Sequence, residues 1–162
     1  MSWNLRERCA RLVVSCGGIG SIPFAPGTWG SVPGLFCAYV IQSTKPQDVM
    51  LAWIWIIAWS SLLSFVAWFA IREAERLTKQ HDLASTVIDE VAGMNWSVVF
   101  FAFDPLVYLL GFVLFRILDI RKPWLIGWLD RELKGAWGTL ADDLLAGFMV
   151  AGILAILTYW VG

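Results

Sequence analysis

The chain has 162 residues, of which 59% are hydrophobic and only 15% charged, with 11 tryptophans and a mean hydropathy of +0.68. Such a composition lies far from that of an ordinary soluble domain and reads as one integral membrane domain over residues 1–162. A net charge of −1 without a basic tract gives no case for nucleic acid, and Cys9, Cys16 and Cys37 lack the spacing of a disulfide framework or a zinc site.

In chain order, Arg6, Arg8 and Arg11 precede an apolar stretch that ends at Gly17 and Gly18, too short for a signal-peptide core. Apolar segments follow at about 31–44, 49–71, 91–103, 105–118 and 144–161. The second exceeds the roughly 20 residues that a helix needs to cross the hydrocarbon, and the fifth comes close. The third and fourth meet at Asp104-Pro105, where proline removes a backbone donor and biases its predecessor away from helix, so they are expected to form a helical hairpin. The expected fold is all-α: a polytopic helical membrane protein with about four to five membrane helices, including that short hairpin.

Five crossings from a cytoplasmic N-terminus put residues 1–30, 72–90 and 119–143 inside, with 45–48 and the 104–105 turn outside. Eleven of the 12 Lys and Arg residues then fall on the inner side or at its edge, Lys45 alone falling outside, as the positive-inside rule expects. Trp29, Trp68, Trp124, Trp137 and Trp160 stand near segment ends as interfacial anchors, whereas Trp55 and Trp59 lie mid-span and read as packing residues.

Four polar clusters share the inner face: Gly17 to Ser31, Asp82 to Gly93, Arg116 to Pro123 and Thr139 to Gly147. Carboxylates at a membrane boundary are costly unless paired, solvated or bound to a cation, so acids beside apolar spans mark a functional site. Thr86-Val-Ile-Asp89-Glu90 and Thr139-Leu-Ala-Asp142-Asp143 echo each other. In a capping box the Thr and the acid three residues on would satisfy free N–H groups at a helix start, which explains Asp89 and Asp142 but not Glu90 and Asp143. Adjacent helical residues point about 100° apart, so one acid can cap while its neighbour faces the bundle interior. A hard divalent cation wants such oxygen ligands from more than one element.

Arg116 and Asp119 lie three residues apart on one helical face, as an ion pair or as part of a site, and Lys122-Pro123 ends the helix with a cation beside the acid. Arg and Lys next to carboxylates form the mixture that binds a metal-bridged phosphoryl group. The first cluster reads as a Pro/Gly loop whose N–H groups can form an anion nest, although it lacks the lysine of a phosphate loop. Lone His81 reads as a solvated surface residue.

The sequence resembles the phosphatidylglycerophosphatase A family of bacterial membrane phosphatases. The resemblance covers roughly residues 15–155 and rests on Gly18-x-Gly20-x-x-Pro23-x-Ala25-Pro26-Gly27-Thr28-x-Gly30-Ser31, on Val87-Ile88-Asp89-Glu90-x-x-Gly93, on Phe115-Arg116-x-x-Asp119-Ile120-x-Lys122-Pro123, and on Asp142-Asp143-x-x-Ala146-Gly147. It implies Mg²⁺-dependent hydrolysis of phosphatidylglycerophosphate to phosphatidylglycerol. It also implies a catalytic site of Asp89, Glu90, Asp119, Lys122, Asp142 and Asp143, with the five acids as the pool of Mg²⁺ ligands. Arg116 and the loop residues Gly27, Thr28 and Ser31 are expected to meet the substrate. One departure is Trp137-Gly-Thr-Leu-Ala before Asp142, where the family suggests a Met close to the acid pair. Cysteine-based phosphatases need an Arg six residues after the nucleophile, which none of the three cysteines has, and histidine-based ones generally need a second His. The competing reading is a small ion or proton transporter subunit, whose acids should be spread through membrane depth.

Overall fold

The computed structural model describes residues 5–79 and 83–161, so His81 and Asp82 lie outside the described residues. Among the described residues, seven α-helices follow in order: α1 (Leu5–Val14), α2 (Pro26–Thr44), α3 (Val49–Thr78), α4 (Ile88–Val98), α5 (Pro105–Arg121), α6 (Trp124–Glu132) and α7 (Ala136–Val161), with a 3₁₀ turn at Ile19–Ser21 before α2. The described residues contain no strand.

Local chemistry sets several boundaries. Asp48 caps α3 by accepting the Leu51 N–H at 2.9 Å. Asp104 caps α5 by accepting from Leu106 N at 2.8 Å and Val107 N at 2.9 Å, with Pro105 in the first turn where its missing N–H costs nothing. Lys122 closes α5 in the left-handed conformation (φ 42°), and its N–H donates to Leu118 O at 2.8 Å.

The hairpin forms, yet its first arm differs from expectation. α4 has 11 residues, about 16 Å of helix, too short to cross a bilayer alone. All of its residues except Glu90 are buried, because α2, α3, α5 and α7 pack around it. It is the central post of the bundle. Its polar side chains find partners there: Asn95 Nδ2 donates to Ser60 Oγ and Trp96 Nε1 to Ser64 Oγ, both at 2.9 Å. Gln42 from α2 donates to the Val99 carbonyl just beyond α4. Such bonds between apolar helices each contribute about 0.6 kcal/mol.

Among the described residues, only α3 (30 residues) and the 25 residues Ala136–Trp160 of α7 are long and apolar enough to cross a membrane. A core helix of a soluble protein meets the same criterion, but α3 leaves Trp53, Ile54, Ile57, Leu62, Phe65 and Phe69 exposed. Exposed Phe36 and Val40 on α2 and Leu109 and Val113 on α5 continue an apolar belt around the bundle.

α7 meets α4 through Asp143 and Gly147, one turn apart. A methyl group on Gly93 would lie 2.6 Å from the Asp143 carbonyl, and one on Gly147 would collide with the Gly93 carbonyl. The two backbones therefore touch, which small residues alone permit. Gly147→Ala is expected to destabilise the protein by about 1–3 kcal/mol through overpacking, read as a lower melting temperature. An unchanged melting temperature would mean that the crossing is looser than described.

Candidate active site

The N-terminal ends of α2 and α4, the C-terminal ends of α3 and α5, α6 and the first turns of α7 surround one cleft of about 510 Å³. Its lining includes Glu75, Asp89, Glu90, Asp119, Lys122, Asp130, Asp142 and Asp143. Three of the four polar clusters contribute to that lining, and the remaining one abuts it through Gly27, where an added methyl would collide with Glu90 Oε1 and lie 2.9 Å from Arg116 Nη2. Helices separated by dozens of residues thus deliver their charged ends to a single place.

Neither Thr-x-x-Asp echo is a capping box. The N-cap of α4 is Val87, without a side-chain cap, while Asp89 Oδ1 accepts the Glu90 N–H at 3.1 Å. α7 begins at Ala136, three residues before Thr139, so Asp142 and Asp143 sit inside the helix, each 4% exposed. Thr139 donates back to Gly135 O at 3.5 Å. Both acids are therefore released from capping and turn inward by about 100° from each other.

Asp143 faces α4. One oxygen each from Asp89, Glu90 and Asp143 lies within 4.8 Å of the others, and Glu90 Oε2 is buried without a hydrogen-bond partner. Three carboxylates that close, largely removed from water and met by few protein donors beyond the Glu90 N–H, repel strongly unless a cation lies among them. Hard oxygen donors from two helices are what Mg²⁺ or Ca²⁺ takes, so the residues fit a divalent cation.

Asp142 faces the other way. Lys122 Nζ donates to Asp142 Oδ2 at 2.6 Å and to Asp130 Oδ1 at 2.5 Å, while Asp142 Oδ1 is buried without a partner. Burial works against the Lys122 ammonium, but its hydrogen bonds to Asp130 and Asp142 outweigh this and raise its pKa, so it carries its charge at neutral pH. Asp119 forms an ion pair with Arg116 at 2.6 Å across one turn of α5, both side chains 15% exposed. Lys122 therefore lines the cleft between two carboxylates, whereas Arg116 is absent from the lining and stands beside it, paired with Asp119 and close to Gly27.

The last part of the first cluster, from Pro26 to Ser31, is helix rather than loop. Pro26 opens α2, so Gly27, Thr28 and Ser31 lie in its first turns, and Ser31 is fully buried with its hydroxyl donating to Gly27 O at 2.8 Å. An anion nest in a loop is not what these residues form. Gly27 is instead the point where α2 closes on Glu90 and Arg116. Thr28, half-buried, and Ser31 are absent from the cleft lining.

Sequence reasoning passed over Asp130, Glu75, Lys134 and α6 itself. Asp130 belongs to none of the four clusters, and α6 has nine residues, so apolar-span reading had no signal for either. Cys16 sits nearby, but burial, then the charges of Asp89 and Glu90, push its thiol up to about 11. It is protonated at neutral pH and unsuited to nucleophilic attack. The two remaining acids on the far side, Asp48 and Asp104, are helix caps, so the described acids trace no path through the bundle of the kind a transporter would need.

The family model for Phosphatidylglycerophosphatase A matches residues 12–158. The chain is 34% identical over 153 residues to Phosphatidylglycerophosphatase A of Escherichia coli K12, covering 90% of this chain and 78% of that protein. It is 30% identical over 146 residues to Phosphatidylglycerophosphatase A of Haemophilus influenzae, covering 88% and 85%. A Bacteroides thetaiotaomicron protein, named provisionally as a phosphatidylinositol-3-phosphatase, is 28% identical over 150 residues, covering 90% and 91%. No solved structure matches the chain.

Proposed function

From the premise that this chain belongs to the phosphatidylglycerophosphatase A family and is a phosphatase, we propose that it hydrolyses the terminal phosphomonoester of phosphatidylglycerophosphate, releasing phosphatidylglycerol and phosphate. It does so as a multi-pass protein of the bacterial inner membrane, with four to five membrane segments and the cleft facing the cytoplasm. The observation that carries this reading is the largely buried Asp89–Glu90–Asp143 group, flanked by Arg116 and Lys122, at one end of a bundle belted by exposed apolar side chains.

Asp89, Glu90 and Asp143 would hold Mg²⁺, with Asp142 Oδ1 free of protein partners beside them. The ion, when bound, supplies the positive charge that draws a phosphoryl dianion into an acidic cleft and stabilises it in the transition state. The Arg116 guanidinium and the Lys122 ammonium donate to phosphoryl oxygens, and Asp119 and Asp142 keep those cations oriented. The net step breaks the bond between phosphorus and the glycerol oxygen. Water supplies the new P–O bond and the proton that the departing alkoxide takes up. The apolar belt keeps the diacyl chains in the bilayer, so that the cleft meets the head group at the membrane surface.

The test is phosphate release from phosphatidylglycerophosphate by the purified protein, with Mg²⁺ and with a chelator. Release that is absent in both, from folded protein, would overturn the reading. Release unaffected by the chelator would overturn the metal assignment. The positive-inside asymmetry also predicts a face: in a cysteine-free background, Pro46→Cys is expected to label from the periplasm and Lys134→Cys from the cytoplasm. Labelling of both from one side would refute this topology.

A further inference from the structure

Lys122 Nζ is shared between two carboxylates of unequal standing. Asp142, at 2.6 Å, has a side chain 5% exposed, and Asp130, at 2.5 Å, has one 45% exposed. The contact with Asp130 is built rather than incidental. Lys122 ends α5 with φ 42°, and α6 starts two residues later. α6 is then seated on that turn: Ile126 is fully buried, its N–H donates to Pro123 O at 3.1 Å, and a methyl on Gly127 would lie 2.5 Å from the Lys122 carbonyl. This seating fixes where Asp130, one turn further along α6, presents its carboxylate.

Two of the ammonium's three N–H donors go to these partners, so an anion that enters the cleft takes more than one donor from Lys122 only by displacing one of them. Giving up Asp142 would leave a buried carboxylate without its cation, which is costly, whereas Asp130 can be taken up by water. The bond that yields is therefore the one to Asp130. Its carboxylate stands where a phosphoryl oxygen would stand.

We infer that Asp130 is a specificity-determining residue: it holds the phosphate position on Lys122 and admits only an anion that outcompetes a carboxylate there. A doubly charged phosphomonoester does so, and a singly charged phosphodiester does not. The inference rests on the proposed reaction, whose substrate carries both groups and whose lipid product keeps only the diester. Asp130 returns to Lys122 once the monoester is gone, so the lipid product is not retained. No bond is made or broken by this residue.

The experiment compares wild type, Asp130→Asn and Asp130→Glu, all full-length and detergent-solubilised at one fixed Mg²⁺ concentration. The readouts are the KM for phosphatidylglycerophosphate, inhibition by phosphatidylglycerol, and calorimetric binding of short-chain phosphatidylglycerol and of orthophosphate. Removing the competing charge is expected to tighten binding and inhibition by the diester lipid about tenfold, the effect of one moderate charge contact. Orthophosphate is expected to tighten less, and Glu to restore wild-type behaviour. Diester binding and inhibition that stay at wild-type values in Asp130→Asn would overturn the inference. So would a fall in kcat with a raised KM and no tighter diester binding, which would make Asp130 an aligner of Lys122. Thermal melting checks that each variant is folded. If the wild type releases no phosphate, the proposed reaction fails, while the calorimetric comparison still decides the role of Asp130.

Discussion

Asp143→Asn is expected to lower phosphatase activity by about 10³-fold or more, the scale on which electrostatic groups at a reacting phosphate act, while the metal-free protein becomes more stable. The two effects have one cause. Asp143 stands with Asp89 and Glu90, their oxygens within 4.8 Å of one another in a buried site, so without a cation the three charges oppose one another, and a neutral amide of the same shape relieves that repulsion. With the cation, Asn offers a poorer ligand. Wild type is expected to melt higher in saturating Mg²⁺ than in chelator, because a ligand at 100 times its Kd stabilises the folded state by about 2.7 kcal/mol. In Asp143→Asn that Mg²⁺-dependent rise is expected to shrink or vanish. A variant that keeps both its activity and its Mg²⁺-dependent rise would remove Asp143 from the site.

Lys122→Met is expected to reduce activity by about 10²–10³-fold, the loss typical of removing one donor to a developing oxyanion, and also to destabilise the fold. It strands Asp142, whose side chain is 5% exposed, without a cation. Breaking a fully buried pair costs about 3–5 kcal/mol. Because the Lys122 side chain is 34% exposed, solvent screening reduces the expected loss to about 1–3 kcal/mol. Adding Asp142→Asn separates structure from chemistry. The double variant is expected to regain most of the lost melting temperature and none of the lost activity. Recovery of both would mean that Lys122 serves only to neutralise Asp142.

The sequence alone determined what depends on near neighbours along the chain. Apolar runs, the Asp104-Pro105 break, the Arg116–Asp119 spacing and the Lys122-Pro123 stop are all local, and the caps, the ion pair and the helix end follow from i to i+3 or i+4 geometry. The four motifs likewise named the candidate acids and the family. What those acids do to each other was beyond such reading. The Thr-x-x-Asp echo allowed a capping box at each site, but α4 is entered through Val87 without a side-chain cap and α7 starts a turn before Thr139, so Asp142 and Asp143 lie inside a helix that packs closely on α4 at Gly93 and Gly147. Hydropathy likewise read α4 as a membrane arm, since a helix buried by protein and one buried by lipid have the same composition.

Tertiary structure also decided the partners. Asp143 meets Asp89 and Glu90, Asp142 meets Lys122, and Asp130 reaches Lys122 from a helix that no apolar pattern announced. These choices link residues up to 54 positions apart, the separation of Asp89 from Asp143. No local periodicity encodes them. They are fixed by the close backbone approach of α4 and α7 and by the seating of α6 on the Lys122 turn, because close-packed helices permit few relative placements and each placement aims every side chain at once.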